Sequence, residues 1–99
     1  MSVETTAFDV AEHLNSDERM AAWLEEAFDD GDPAFIASAL GDIARARGMA
    51  GLAKETGISR EALYRSLSGK GNPRLSTLVG VTRALGMKLS IIPNGQTVI

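Results

Sequence analysis

Four side chains with complementary chemistry, Arg60, Glu61, Tyr64 and Arg65, fall within six residues. On a helix they share one side. An arginine can donate two hydrogen bonds to a guanine edge, and a glutamate can accept one from a cytosine amino group. Tyr64 could pack on a sugar or a thymine methyl, or its hydroxyl could reach a phosphate. Arg65 lies about one turn beyond Arg60 and Glu61, the spacing at which a helix in the major groove presents side chains to successive bases. Lys70, Asn72 and Arg74 follow at once, and Ser76 and Thr77 open the next expected helix. Cations beside free helix N-terminal amides suit phosphate. Ordinary exposed polar residues could carry the same letters, with Tyr64 half in the core, and a solvated loop would look much like residues 68–73. The elements that present these residues therefore decide the reading.

Those elements are two short helices joined by a tight turn, within Met49–Leu67. Gly57 falls where the chain leaves the first helix and is expected at positive φ. Ser59 is expected to cap the second helix and leave its first turn exposed. Ala53 is small where the helices should approach most closely. Leu52, Ile58, Leu63 and Leu67 can share one apolar contact. Ser66 stands where an apolar residue is expected, so Leu67 is expected to take that contact. The pattern is that of a helix-turn-helix, whose second helix enters the major groove. Ser59, Arg60, Glu61, Tyr64, Arg65, Lys70, Asn72 and Arg74 are its candidate DNA-binding residues. Gly51 is expected in a first turn, where glycine costs little. Gly80 is expected to allow close packing.

Around this unit the spacing predicts further helices. Thr5–Phe8 has weak strand character. Asp9 can cap a short helix through Leu14, with Glu12 in the capping-box position. Ser16 can cap a helix from Asp17 to about Asp30, with Met20, Trp23, Leu24, Ala27 and Phe28 on one face and Gly31 as its stop. Asp32-Pro33 restarts a helix running to about Arg47, with an apolar stripe of Phe35, Ile36, Ala39, Leu40 and Ile43. Arg45 and Arg47 suit its C-terminal end, and Gly48 stops it. A last helix is expected from Leu75 to Leu85, with Leu75, Leu78, Val79, Thr82 and Leu85 inward. Met87–Ile92 reads as a strand that could pair with Thr5–Phe8 or with a second subunit, closed by Pro93-Asn94-Gly95. Residues 96–99 are expected to form a flexible tail.

Charge divides the chain. Residues 1–44 hold eleven acids against Arg19 alone, a balance of −10, and residues 45–99 hold nine bases against Glu55 and Glu61, a balance of +7. The basic half can neutralise phosphates, and DNA would repel the acidic half. Solvated helix faces explain any single carboxylate, but the segregation points to two surfaces with different partners. Asp29 and Asp30 oppose the dipole at a helix C-terminus, so helix energetics gives no reason for them.

The same inventory argues against an enzyme. There is no cysteine, no glycine-rich phosphate loop beside a strand and no nucleophile motif. His13, flanked one turn away by Asp9 and Asp17, has a spacing that could hold a metal, but a surface histidine among acids is the commoner arrangement. No metal or cofactor is expected. No apolar run approaches membrane-spanning length, and the N-terminus lacks a signal-peptide layout, so no membrane association and a cytoplasmic location are expected.

Gly41 to Gly48, Leu52-Ala53 through Gly57-Ile-Ser-Arg60, Leu63-Tyr64, Gly69, Asn72-Pro73 and Ala84-Leu85-Gly86 together resemble the Xre/λ-repressor-like class. More narrowly they resemble putative addiction-module antidote proteins, the HigA-like antitoxins, over about residues 8–93. The acidic helices ending in Gly31-Asp-Pro33 and the closing strand favour that subgroup. The resemblance implies an all-α, λ-repressor-like helix-turn-helix bundle with two extra N-terminal helices and a short C-terminal β-strand. One domain is expected: an acidic extension over 1–31, the helix-turn-helix core over 32–86, a strand over 87–93 and a tail over 94–99. The resemblance further implies a homodimer that represses its own operon by binding double-stranded operator DNA, with a small, basic RelE/ParE-like toxin as protein partner. A stand-alone Xre-type repressor without a toxin is the alternative. An adaptor that has kept the helices without binding DNA is a third reading.

Overall fold

The computed structural model describes residues 16–95, and the expected Thr5–Phe8 strand, the Asp9–Leu14 helix with His13, and residues 96–99 lie outside them. Five helices follow in order: α1 (Asp17–Asp30), α2 (Pro33–Arg47), α3 (Met49–Thr56), α4 (Arg60–Ser66) and α5 (Leu75–Ala84). There is no strand among the described residues.

Each boundary has a local cause. Ser16 Oγ accepts a hydrogen bond from Arg19 N at 3.2 Å, occupying one of the amide donors that a helix start leaves free. Gly31 ends α1 in the left-handed region at φ +82°, and its amide donates to Ala27 O. Asp32 then accepts from Ala34 N at 3.2 Å, and Pro33 occupies the first position of α2, where its missing N–H costs nothing. Arg45 and Arg47 sit in the last turn of α2, where cations face the negative end of the helix.

The core is assembled around α2 and α3. Met20, Leu24 and Ala27 of α1 meet Leu40, Ile43 and Ala44 of α2, and the cluster continues through Met49, Leu52, Leu63, Leu67, Val81 and Leu85. Trp23 and Phe35 close the α1–α2 contact edge to face, with ring centroids 5.9 Å apart. Phe28, expected inward, is half-exposed at the end of α1. Helix α3 packs on α2, α4 and α5, whereas α1 packs chiefly on α2. An ion pair 3.4 Å long between Arg47 and Asp17 ties the first turn of α1 to the end of α2.

Two glycines set close approaches. A Cβ on Gly41 would run into the Leu67 carbonyl oxygen, so the backbone at the end of α4 can lie directly on α2 only because this residue has no side chain. Gly71 faces the Ser66 carbonyl in the same way. Gly80 does not: a Cβ there would meet open space, so its expected packing role is not observed. Gly51 lies in the first turn of α3 with open space around it.

The last helix is rotated from the expected stripe. Val81, Thr82 and Leu85 are buried and Leu78 packs against the core, whereas Leu75 is 72% exposed and Val79 37% exposed. Both sets fit a helical period because α5 is apolar on more than one side. The set at 78, 81, 82 and 85 is the complete i, i+3, i+4, i+7 ladder, and it faces α3. The buried Thr82 hydroxyl donates within the helix, to Leu78 O at 2.9 Å, so its burial leaves no polar group unpaired.

The expected strand over 87–93 is also corrected. These residues form neither helix nor ladder, and Leu89, Ile91 and Ile92 are exposed, Ile91 at 95%. Alternating apolar residues make a strand only where a neighbour supplies the ladder, and no described segment lies alongside as that neighbour. Gly86 at φ +82° turns the chain out of α5, with the Met87 amide bonded to Thr82 O.

Candidate nucleic-acid interface

The turn between α3 and α4 is built from three residues. Gly57 adopts φ +77° and its amide closes on Ala53 O at 2.9 Å. The Thr56 hydroxyl donates to Leu52 O at 2.7 Å and accepts from Ile58 N at 3.2 Å, a cross-link that the sequence alone did not flag. Ser59 Oγ accepts from Ala62 N at 3.1 Å and starts α4. Helix α4 is then oriented by its buried side: Leu63 lies in the core, Leu67 follows it there, and Ala53 and Ile58 pack against the same cluster. Leu67 thus takes the contact expected of it, while Ser66 turns its hydroxyl back onto Leu63 O.

With Leu63 fixed inward, Glu61 and Arg65 lie on the opposite side of α4, Tyr64 flanks them at 43% exposure, and Arg60 is exposed at the first position of the helix. Tyr64 is therefore a surface residue. Lys70, Asn72 and Arg74 are exposed as well, and Arg74 stands at the N-cap of α5 without a side-chain capping bond. All eight expected residues therefore lie at the solvent side of α4 and the loop that follows it.

The cations at the end of α2 and those of α4 and its following loop behave differently. Arg45 pairs with Asp42 at 2.9 Å and Arg47 with Asp17 at 3.4 Å. Among the described residues no ion pair engages Arg60, Arg65, Lys70 or Arg74, and Glu61 does not bridge to Arg65 one turn along. The face of α4 therefore carries guanidinium groups whose donors are directed to solvent. That arrangement can bind phosphate oxygens and base edges.

A hollow of about 370 Å³ lies elsewhere, between the end of α2, α3 and the end of α5. Its lining includes Arg47, Lys54, Glu55 and Leu85, and none of the eight expected residues. No group of three or more metal-ligating side chains occurs among the described residues. No helix among them is long and apolar enough to cross a membrane.

On the other side, Glu18, Glu25, Glu26, Asp29, Asp30 and Asp32 are exposed along α1 and its closing turn. Asp29 and Asp30 occupy the last turn of α1, with no base there to offset them.

The described molecule is thus a helical bundle in which α4 and the loop after it expose cations and α1 exposes carboxylates. Comparison with known proteins gives it a family. The family model for the probable addiction module antidote protein matches residues 4–93, and the chain belongs to that family. The chain is also similar to a protein of Haemophilus influenzae (strain ATCC 51907 / DSM 11121 / KW20 / Rd), described as an uncharacterized protein. The two are 46% identical over 91 residues, which is 92% of this chain and 94% of the relative. No solved structure matches. Membership in the antidote family points to a toxin–antitoxin module and to a toxin as partner.

Proposed function

We propose that the chain is the antitoxin of a type II toxin–antitoxin module of the HigA-like, Xre/λ-repressor-like kind. It binds a small, basic RelE/ParE-like toxin and, as a homodimer in the cytoplasm, represses its own operon through sequence-specific DNA contacts. Family membership over residues 4–93 carries the antitoxin reading. The DNA reading is supported by α3 and α4, a helix-turn-helix in which a serine-capped helix turns Arg60 and Arg65 to solvent with no acid engaging them. The acidic face of α1 supplies a surface for a basic toxin, because Glu25, Glu26, Asp29 and Asp30 are exposed there and take part in no helix cap or ion pair among the described residues. Exposed Leu75, Val79, Leu89, Ile91 and Ile92 give a second subunit apolar surface to cover. The protein acts by binding, without catalysis.

The test is co-expression with the product of the neighbouring gene, followed by pull-down and by a gel shift on the upstream promoter fragment. The proposal expects a stable complex with a small basic protein and salt-sensitive retention of the promoter fragment. Promoter binding with no protein partner would make the chain a stand-alone repressor. Partner binding with no salt-sensitive DNA retention would make it an adaptor.

A further inference from the structure

The loop after α4 is held to that helix by one hydroxyl. Ser68 Oγ donates to Arg65 O at 3.1 Å and accepts from Lys70 N at 3.3 Å, using its donor and an acceptor at once. The Gly71 amide closes the same turn on Ser68 O at 2.8 Å, and Gly71 itself lies flat against the Ser66 carbonyl. Arg65 and Lys70 are thereby linked through a single side chain: its hydroxyl bonds the backbone of both. Apart from the Gly71 amide's bond, the hydrogen bonds within this turn pass through that hydroxyl. The Lys70 ammonium has no ion-pair partner among the described residues and ends a flexible four-carbon stem, so the position of its backbone sets the anchor from which its charge reaches.

We infer that Ser68 is a positioning residue for DNA binding: its hydroxyl fixes the Lys70 backbone relative to α4, so that the ammonium meets a phosphate when the Arg60–Arg65 face is against the groove. The inference rests on the DNA reading above and adds to it a residue that itself touches no nucleic acid. Holding a loop in place before binding removes an ordering cost that would otherwise be met on the DNA. Ser68→Ala keeps the charge and the fold but frees the turn. Its effect should be uniform across sequences, because a phosphate contact carries no base preference.

The test is a double-mutant cycle on promoter and scrambled duplexes over a series of salt concentrations, with thermal melting of each variant. Lys70→Ala should lower the slope of log affinity against log salt by about 0.9, the value of one phosphate contact. Ser68→Ala should weaken both duplexes alike, several-fold, reduce the slope by part of that amount and leave melting nearly unmoved. Ser68→Thr, which keeps the hydroxyl, should restore wild-type binding. In the Lys70→Ala background Ser68→Ala should have no further effect. If Ser68→Ala costs the same in both backgrounds, or if threonine does not rescue, the positioning role is wrong while the DNA reading stands. If the wild-type chain shows no salt-sensitive binding to either duplex, the DNA reading falls and this inference falls with it.

Discussion

The α1–α2 hairpin and the α3–α4 pair are both helix–turn–helix arrangements closed by a left-handed glycine, yet they use charge in opposite ways. In the hairpin, the cations at the end of α2 are engaged: Arg45 by Asp42 and Arg47 by Asp17. The carboxylates at the end of α1 are the groups left to solvent, against the helix dipole. In the α3–α4 pair the order is reversed. Its one first-turn acid, Glu61, sits at the favourable end of α4, and its cations face outward without partners. On the proposed function, the charges left unpaired are the ones that meet a partner, and the paired ones belong to the scaffold. Each half leaves over the opposite sign.

The comparison can be broken most forcefully in the core the two halves share. Leu63→Ala empties a fully buried position beneath α4 and should cost about 2–5 kcal/mol of stability. Urea unfolding followed by circular dichroism would read it. Because α1 packs chiefly on α2, Leu24→Ala should leave promoter binding per folded molecule intact, whereas Leu63→Ala should not. Equal loss of DNA binding in both would mean that the halves are not separable.

A smaller effect, confined to one face, is expected from Arg60→Ala and Arg65→Ala. Each should reduce discrimination between promoter and scrambled duplex by about 1–3 kcal/mol where the contact is bidentate, with unfolding unchanged. Unchanged footprints in both variants would remove α4 from the interface. The caps come next and should be alike in the two halves. Asp32→Ala and Ser59→Ala should each lose about 1 kcal/mol, since each removes one bond to a helix-start amide. Only the second should disturb DNA binding, because it starts the helix that carries Arg60.

The smallest change has an unusual sign. Asp29→Asn with Asp30→Asn removes two charges that oppose the α1 dipole and should raise stability by a few tenths of a kcal/mol. The same change should weaken the complex with the basic partner. A melting temperature that rises while pull-down yield falls would separate function from stability on this face. A fall in both would mean that these acids serve the fold.

Most helix boundaries were legible because they are written in short-range chemistry. Ser16, Asp32-Pro33 and Ser59 cap as their types require, and Gly31, Gly48 and Gly57 stop helices with positive φ. The orientation of α4 followed from Leu63 and Leu67, which leave its polar residues only one side to occupy. What failed depended on distant neighbours. Helix α5 has apolar residues on two sides, and only packing on α3 selects Val81 over Leu75 and Val79. A strand at 87–93 needed a ladder partner that no local pattern could supply. Gly41 and Gly71 were not singled out for packing, because what makes each necessary is a carbonyl from another element. Ser68 was read as loop composition, although its two hydrogen bonds make it the fastening of that loop.

The central claim, two faces with separate partners, is tested most directly by measuring both binding reactions on two charge variants of the full chain. One variant carries Arg60→Ala and Arg65→Ala, and the other carries Glu25→Gln, Glu26→Gln, Asp29→Asn and Asp30→Asn. Affinities for the promoter duplex and for the proposed toxin partner would be read in the same buffer. The account predicts a double dissociation: the arginine variant loses promoter preference and keeps the protein partner, and the acid-neutralised variant loses the partner and keeps the promoter. Loss of both reactions in either variant, or partner binding indifferent to the acids of α1, would contradict it.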